Sequence, residues 1–113
     1  MEEKSKTKTT INMSEEEATN TVKELSLYNE DNYNYLKACE EFAELSELLL
    51  KKVNKRGGPK EPTDESIIEE IGDAVIRLGV LVELFGSANI EKRIDFKLSK
   101  YIDYMKDKRY KNI

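Results

Sequence analysis

Two clusters of carboxylates carry the chemistry open to this chain: Glu40-Glu41-Phe42-Ala43-Glu44 and, further along, Glu70-Ile71-Gly72-Asp73. Each lies in a stretch whose apolar residues recur with a helical period. Each sets two acids three residues apart, on the same side of a helix. Four carboxylates converging from two neighbouring helices would form a site for a hard divalent cation such as Mg²⁺. The same spacing on a solvent-facing helix is ordinary surface charge, so the elements that carry the acids decide between the two readings.

The chain has no histidine. That removes imidazole general bases, Ser-His-Asp triads and most zinc or iron sites, leaving carboxylates, Lys, Arg, Tyr and metal-bound water. Cys39 is the single cysteine, so no intrachain disulfide forms. Its apolar neighbours make it a small packing residue, with thiol chemistry as the alternative.

The periodicity predicts an all-α protein of four helices. Residues 1–13 are expected to be a flexible tail and 14–113 a single domain. Ser14 followed by Glu17 reads as a capping box, opening a helix over about 15–28 with Ala18, Val22 and Leu25 on one face. Asn29-Glu30-Asp31-Asn32 interrupts it, with Asp31 or Asn32 as the cap of a second helix over about 33–54. Tyr35, Ala38, Cys39, Phe42, Leu45, Leu49 and Val53 give that helix a broad apolar face. Arg56-Gly57-Gly58-Pro59 ends it, and Thr63 caps a third helix over about 64–85, the most apolar of the four. Gly86 is a natural terminator and Asn89 a natural cap for a last helix over about 90–107, expected to bury Ile90, Ile94, Leu98, Tyr101 and Met105.

On the second helix Glu41 is flanked by Ala38, Leu45 and Leu48, and on the third Glu70 is flanked by Ile67, Ala74 and Leu81. Glu44 and Asp73 each lie about 60° to one side of these two acids. A carboxylate turned toward apolar surroundings is costly unless paired or hydrogen-bonded. The short linker makes the two helices antiparallel neighbours, which sets the acid pairs at similar heights, within a turn or two.

The chain is 113 residues long, 37% charged and 38% apolar with a net charge of −4, and its mean hydropathy is −0.70. The balance argues against a general affinity for nucleic acid. No apolar run approaches the ~20 residues that span a bilayer, and the N-terminus lacks a signal-peptide core, so a cytoplasmic protein without membrane contact is expected. The modest apolar content and the apolar circumference of the third helix point to self-association.

The ordered pair E-E-x-x-E and E-x-x-D, separated by two to three dozen residues, resembles the MazG-like branch of the all-α nucleoside triphosphate pyrophosphohydrolases, over about residues 33–107. The resemblance implies a four-helix MazG-like bundle assembled as a dimer or tetramer. It implies hydrolysis of (d)NTPs to monophosphate and pyrophosphate with Mg²⁺, or Mn²⁺ in its place. Carried over position by position, the metal ligands are Glu41, Glu44, Glu70 and Asp73. Glu44 and Glu40 are the candidates for accepting a proton from the attacking water, although Glu40 points about 100° away from Glu41, as a supporting residue would. Arg77 follows Asp73 by one turn and is either a phosphate contact or Asp73's salt-bridge partner. Arg93, Lys97 and Lys100 on the last helix are further phosphate-binding candidates, with a solvated charged face as the alternative. The chain lacks the Trp and His that some relatives place around the base. Tyr28, Tyr33 or Tyr35 could stack there instead, or simply pack. Gly72, inside the second acid motif, could permit a close helix approach. Two alternatives share these features: an enzyme like phosphoribosyl-ATP pyrophosphohydrolase, and a protein that sequesters nucleotide without turnover.

Overall fold

The capping box at Ser14 forms. The Ser14 hydroxyl accepts from the Glu17 N–H at 3.1 Å, and the Glu17 carboxylate accepts from the Ser14 N–H at 3.0 Å. It opens α1 (Glu15–Tyr28) in a computed structural model that describes residues 12–111. Most of the expected N-terminal tail lies outside the described residues. All four expected helices are present, and no strand occurs among the described residues.

Helix α2 (Asp31–Asn54) begins earlier than its apolar pattern suggests. Glu30 occupies the cap position without a side-chain cap bond, and Asp31 is the first helical residue. A carboxylate in the first turn suits the positive end of the helix dipole, as do Lys51 and Lys52 in the last turn at the negative end. The corner between α1 and α2 is closed by Asn34, which is fully buried and donates from Nδ2 to the carbonyls of Ser26 at 3.2 Å and Asn29 at 3.5 Å.

Helix α3 (Asp64–Phe85) starts at its expected cap, with the Thr63 hydroxyl accepting from the Ser66 N–H at 3.2 Å. It runs back along α2 and also packs on α1. Three ties set the antiparallel register of the α2–α3 hairpin. At the turn, Lys52 pairs with Glu61 and lies 3.6 Å from Asp64, while Glu61 also accepts from the Gly57 N–H at 2.7 Å. Midway, acids from the two helices meet. At the open end, the Tyr35 and Phe85 rings stack with centroids 5.9 Å apart. Lys52 and the Gly57 N–H together hold the Glu61 carboxyl below its usual range.

The close approach between helices lies at Gly79, where an added Cβ would stand 3.2 Å from Val22 Cγ1; at Gly72 it would meet nothing within 4 Å. Gly79, rather than the glycine of the acid motif, therefore lets α1 lie against α3.

Helix α4 (Ser87–Lys111) departs most from expectation. It starts before Asn89, which is thus an interior residue and not a cap, and Gly86 alone separates it from α3. Gly86 has a φ of 92°, a conformation open chiefly to glycine, and its N–H donates to the Val82 carbonyl at 2.8 Å. Among residues 87–108 all but Ile90 are exposed. Ile94, Leu98, Tyr101 and Met105, expected in the core, stand about half exposed. The one-residue link keeps α4 from folding back on α3, since antiparallel helix pairs need about 2–5 linking residues. Cys39 is likewise exposed and not packed.

The result is a three-helix unit with a projecting fourth helix. The radius of gyration is 18.3 Å, against about 13 Å for a compact domain of this length. The buried apolar side chains among the described residues are Ala38, Ala74 and Val80. No described helix is long and apolar enough to cross a membrane.

Candidate metal centre

The middle of the hairpin brings together Glu41 and Glu44 of α2 and Glu70 of α3. One carboxylate oxygen of each lies within 4.8 Å of the others. Donors around one hard cation at about 2.0–2.6 Å span this range. Glu41 and Glu44 share a face because they are three residues apart, and the hairpin register delivers Glu70 to the same height. Glu41 is only 9% exposed, as its position among apolar neighbours predicts. Burial lifts its carboxyl above the ordinary value near 4.5, helped by the Glu44 charge, a hydrogen bond to Glu44 and the more distant Asp73 charge; Lys37 partly offsets them.

Two buried polar atoms of α3 have no partner. Glu70 Oε2 and Arg77 Nη1 are both shielded from water without a hydrogen bond. A buried carboxylate oxygen and a buried guanidinium nitrogen are each costly in that state. Their chemistry is complementary to a cation and to an anionic oxygen, respectively. Glu41, Glu44 and Glu70 thus fit a divalent metal by donor type and spacing, and Glu70 also by its unpartnered oxygen.

The remaining expected residues divide. Asp73 is outside the group of three, although its charge is felt at Glu41. Arg77 forms no ion pair with Asp73, so the intrahelical salt bridge expected as its alternative role is absent. Glu40 turns outward and accepts from Lys37 Nζ at 2.9 Å, which raises the Lys37 pKa. Its direction is the one that the helical wheel gives. Arg93, Lys97 and Lys100 are exposed on α4 and lie over aromatic rings of that helix. Arg93 and Lys100 stand 5.3 and 5.0 Å from the Phe96 centroid, and Lys97 stands 5.5 Å from that of Tyr101. Tyr28, Tyr33 and Tyr35 are all exposed to differing degrees, Tyr35 being held by Phe85.

Spacing alone does not single out Asn34. It is an asparagine two turns before Glu41 on the same face, buried with Oδ1 unpartnered. The polar residue at a heptad-like interval from Glu41 was its only signal. Compared with known protein families, curated proteins and solved structures, the chain matches none.

Proposed function

We propose that this chain is a Mg²⁺-dependent nucleotide pyrophosphohydrolase, cleaving the α–β phosphoanhydride of a (d)NTP with water to give (d)NMP and pyrophosphate. The observation that carries the reading is the meeting of Glu41, Glu44 and Glu70 from two helices, with Glu70 Oε2 and Arg77 Nη1 buried and unpaired on the same side of α3. Glu41, Glu44 and Glu70 would hold the metal, with Asp73 as a nearby fourth acid. When bound, Mg²⁺ supplies charge neutralisation, orientation of phosphate oxygens and a more acidic water. Glu44, the exposed member of the group, would accept the proton of the attacking water. Arg77 offers a guanidinium to the charge that builds on phosphate oxygen. Glu40, tied to Lys37, orients that cation beside the acids. Self-association to a dimer or tetramer belongs to the same proposal, as does the use of Mn²⁺.

The test is incubation of purified protein with a panel of NTPs, dNTPs and phosphoribosyl-ATP plus Mg²⁺, with products resolved by ³¹P NMR. Release of monophosphate and pyrophosphate in equal amounts is expected. Cleavage confined to phosphoribosyl-ATP would place the enzyme on that substrate, and tight binding without products would make it a sequestering protein. Neither binding nor turnover would overturn every nucleotide reading.

A further inference from the structure

We infer that α4 is an exchanged arm: its apolar ridge seats in the groove between α1 and α3 of a second copy of this chain, and the partner's α4 returns the contact. The inference takes up the self-association of the proposed function and does not depend on what the acids catalyse.

Two surfaces left open in one chain are complementary. The first is the α4 ridge of Ile94, Leu98, Tyr101 and Met105, about half exposed on a helix that extends for ~37 Å at 1.5 Å per residue. The second is a groove of about 420 Å³ lined by Ala18, Val22, Val75, Ile76, Gly79 and Val82, with Thr19 and Glu83 as its polar members. So few polar groups do not orient a small ligand, whose sites combine an apolar pocket with several converging polar atoms. An apolar helix ridge needs none.

Three observations select a second copy as the occupant. Gly86 alone joins α3 to α4, too short a link for α4 to double back over its own α3. A short hinge of this kind favours exchange between copies. Charge agrees. Residues 87–111 carry eight basic and four acidic residues, a net +4, whereas residues 14–86 carry eight basic and seventeen acidic residues, a net −9. The groove rim holds Glu83, and the adjoining first turn of α1 holds Glu15, Glu16 and Glu17. Arg93, Lys97 and Lys100 flank the α4 ridge, braced on Phe96 and Tyr101. Finally, three buried apolar side chains among the described residues are a thin core for a lone chain. Exchange covers the ridge and the groove in both copies by one self-complementary contact.

The test places photo-reactive benzoylphenylalanine at position 101 in the full chain, in a mixture of ¹⁴N- and ¹⁵N-labelled protein. Mixed-isotope crosslinks from position 101 to residues 18–22 or 75–83 are expected. Light scattering at micromolar concentration should give at least a dimer mass. Leu98→Glu and, from the groove side, Val75→Glu should each weaken association at least 100-fold while retaining helical circular dichroism. Crosslinks within one chain, crosslinks from α4 to α4, capture elsewhere on the partner, or a monomeric wild type would each overturn the inference. The crosslinking result holds even if either Glu variant fails to fold.

Discussion

The two helices of the α2–α3 hairpin and α4 are similar in length and all amphipathic, yet the hairpin is fixed by its own chain and α4 is not. The hairpin is tied at both ends, by Lys52 with Glu61 and by Tyr35 on Phe85, and its acids meet between those ties. Helix α4 carries the densest basic charge of the four helices and touches little beyond α3 near its own start. A site that needs donors within a few ångströms must be built on the first kind of element. The second kind supplies a surface. The acid cluster therefore belongs to the hairpin, and the open apolar ridge to α4.

Breaking the hairpin's site should have the largest effect. Glu70→Gln is expected to lower kcat/KM for the preferred nucleotide at least about 100-fold, because a ligand is lost. Asp73→Asn, outside the group of three, should cost about 10-fold, as loss of a supporting acid does. Steady-state kinetics with circular dichroism as a folding control measures both; equal losses would restore Asp73 to the ligand set. Arg77→Gln comes next, with an expected fall of about 10²-fold, mostly in kcat, if its guanidinium meets developing phosphate charge. A rise in KM alone would instead mark a ground-state contact.

A smaller effect separates the hairpin's two titrating carboxyls. Glu61 has a depressed pKa, so its stabilisation is present above the ordinary carboxylate value near 4.5 and is lost as pH falls through the folded value. Glu41 has a raised pKa, so the folded state binds more protons than the unfolded state above about 4.5. Its contribution is full below that value and lost as pH rises through the folded value. Thermal melts of metal-free protein should show Glu41→Gln removing the downward slope above 4.5, and Glu61→Gln flattening the upward slope below it. Smallest is Gly72→Ala. With nothing within 4 Å of the added Cβ, it should stabilise α3 by about 1 kcal/mol, whereas Gly79→Ala must push Val22 aside and should gain less. Denaturant midpoints compare the two.

The helices and their caps were legible in the sequence wherever local chemistry decides them. Ser14 with Glu17 and Thr63 with Ser66 act within a single turn. Glu41 was legible as an acid turned inward, because the helical wheel places Ala38 and Leu45 beside it. The meeting of Glu44 with Glu70 required the hairpin register, which Lys52, Tyr35 and Phe85 set through contacts distant in sequence. The burial that the α4 pattern predicts fails for a physical reason. An amphipathic pattern records that a face is apolar, not which chain covers it, and a one-residue link at Gly86 prevents the covering that the pattern suggests. The role of Gly79 is not legible in the local sequence because it depends on Val22 of another helix.

The central claim is that Glu41, Glu44 and Glu70 act together on one divalent cation. Titration of metal-free protein with Mn²⁺, followed by electron paramagnetic resonance of the free ion, tests it without reference to turnover. The account predicts saturable binding of one ion per chain in wild type, weakened at least about 10-fold by Glu41→Gln and by Glu70→Gln alike, and unchanged by Lys97→Ala on α4. Equal Mn²⁺ binding in wild type and both glutamine variants, or none in wild type, would contradict it.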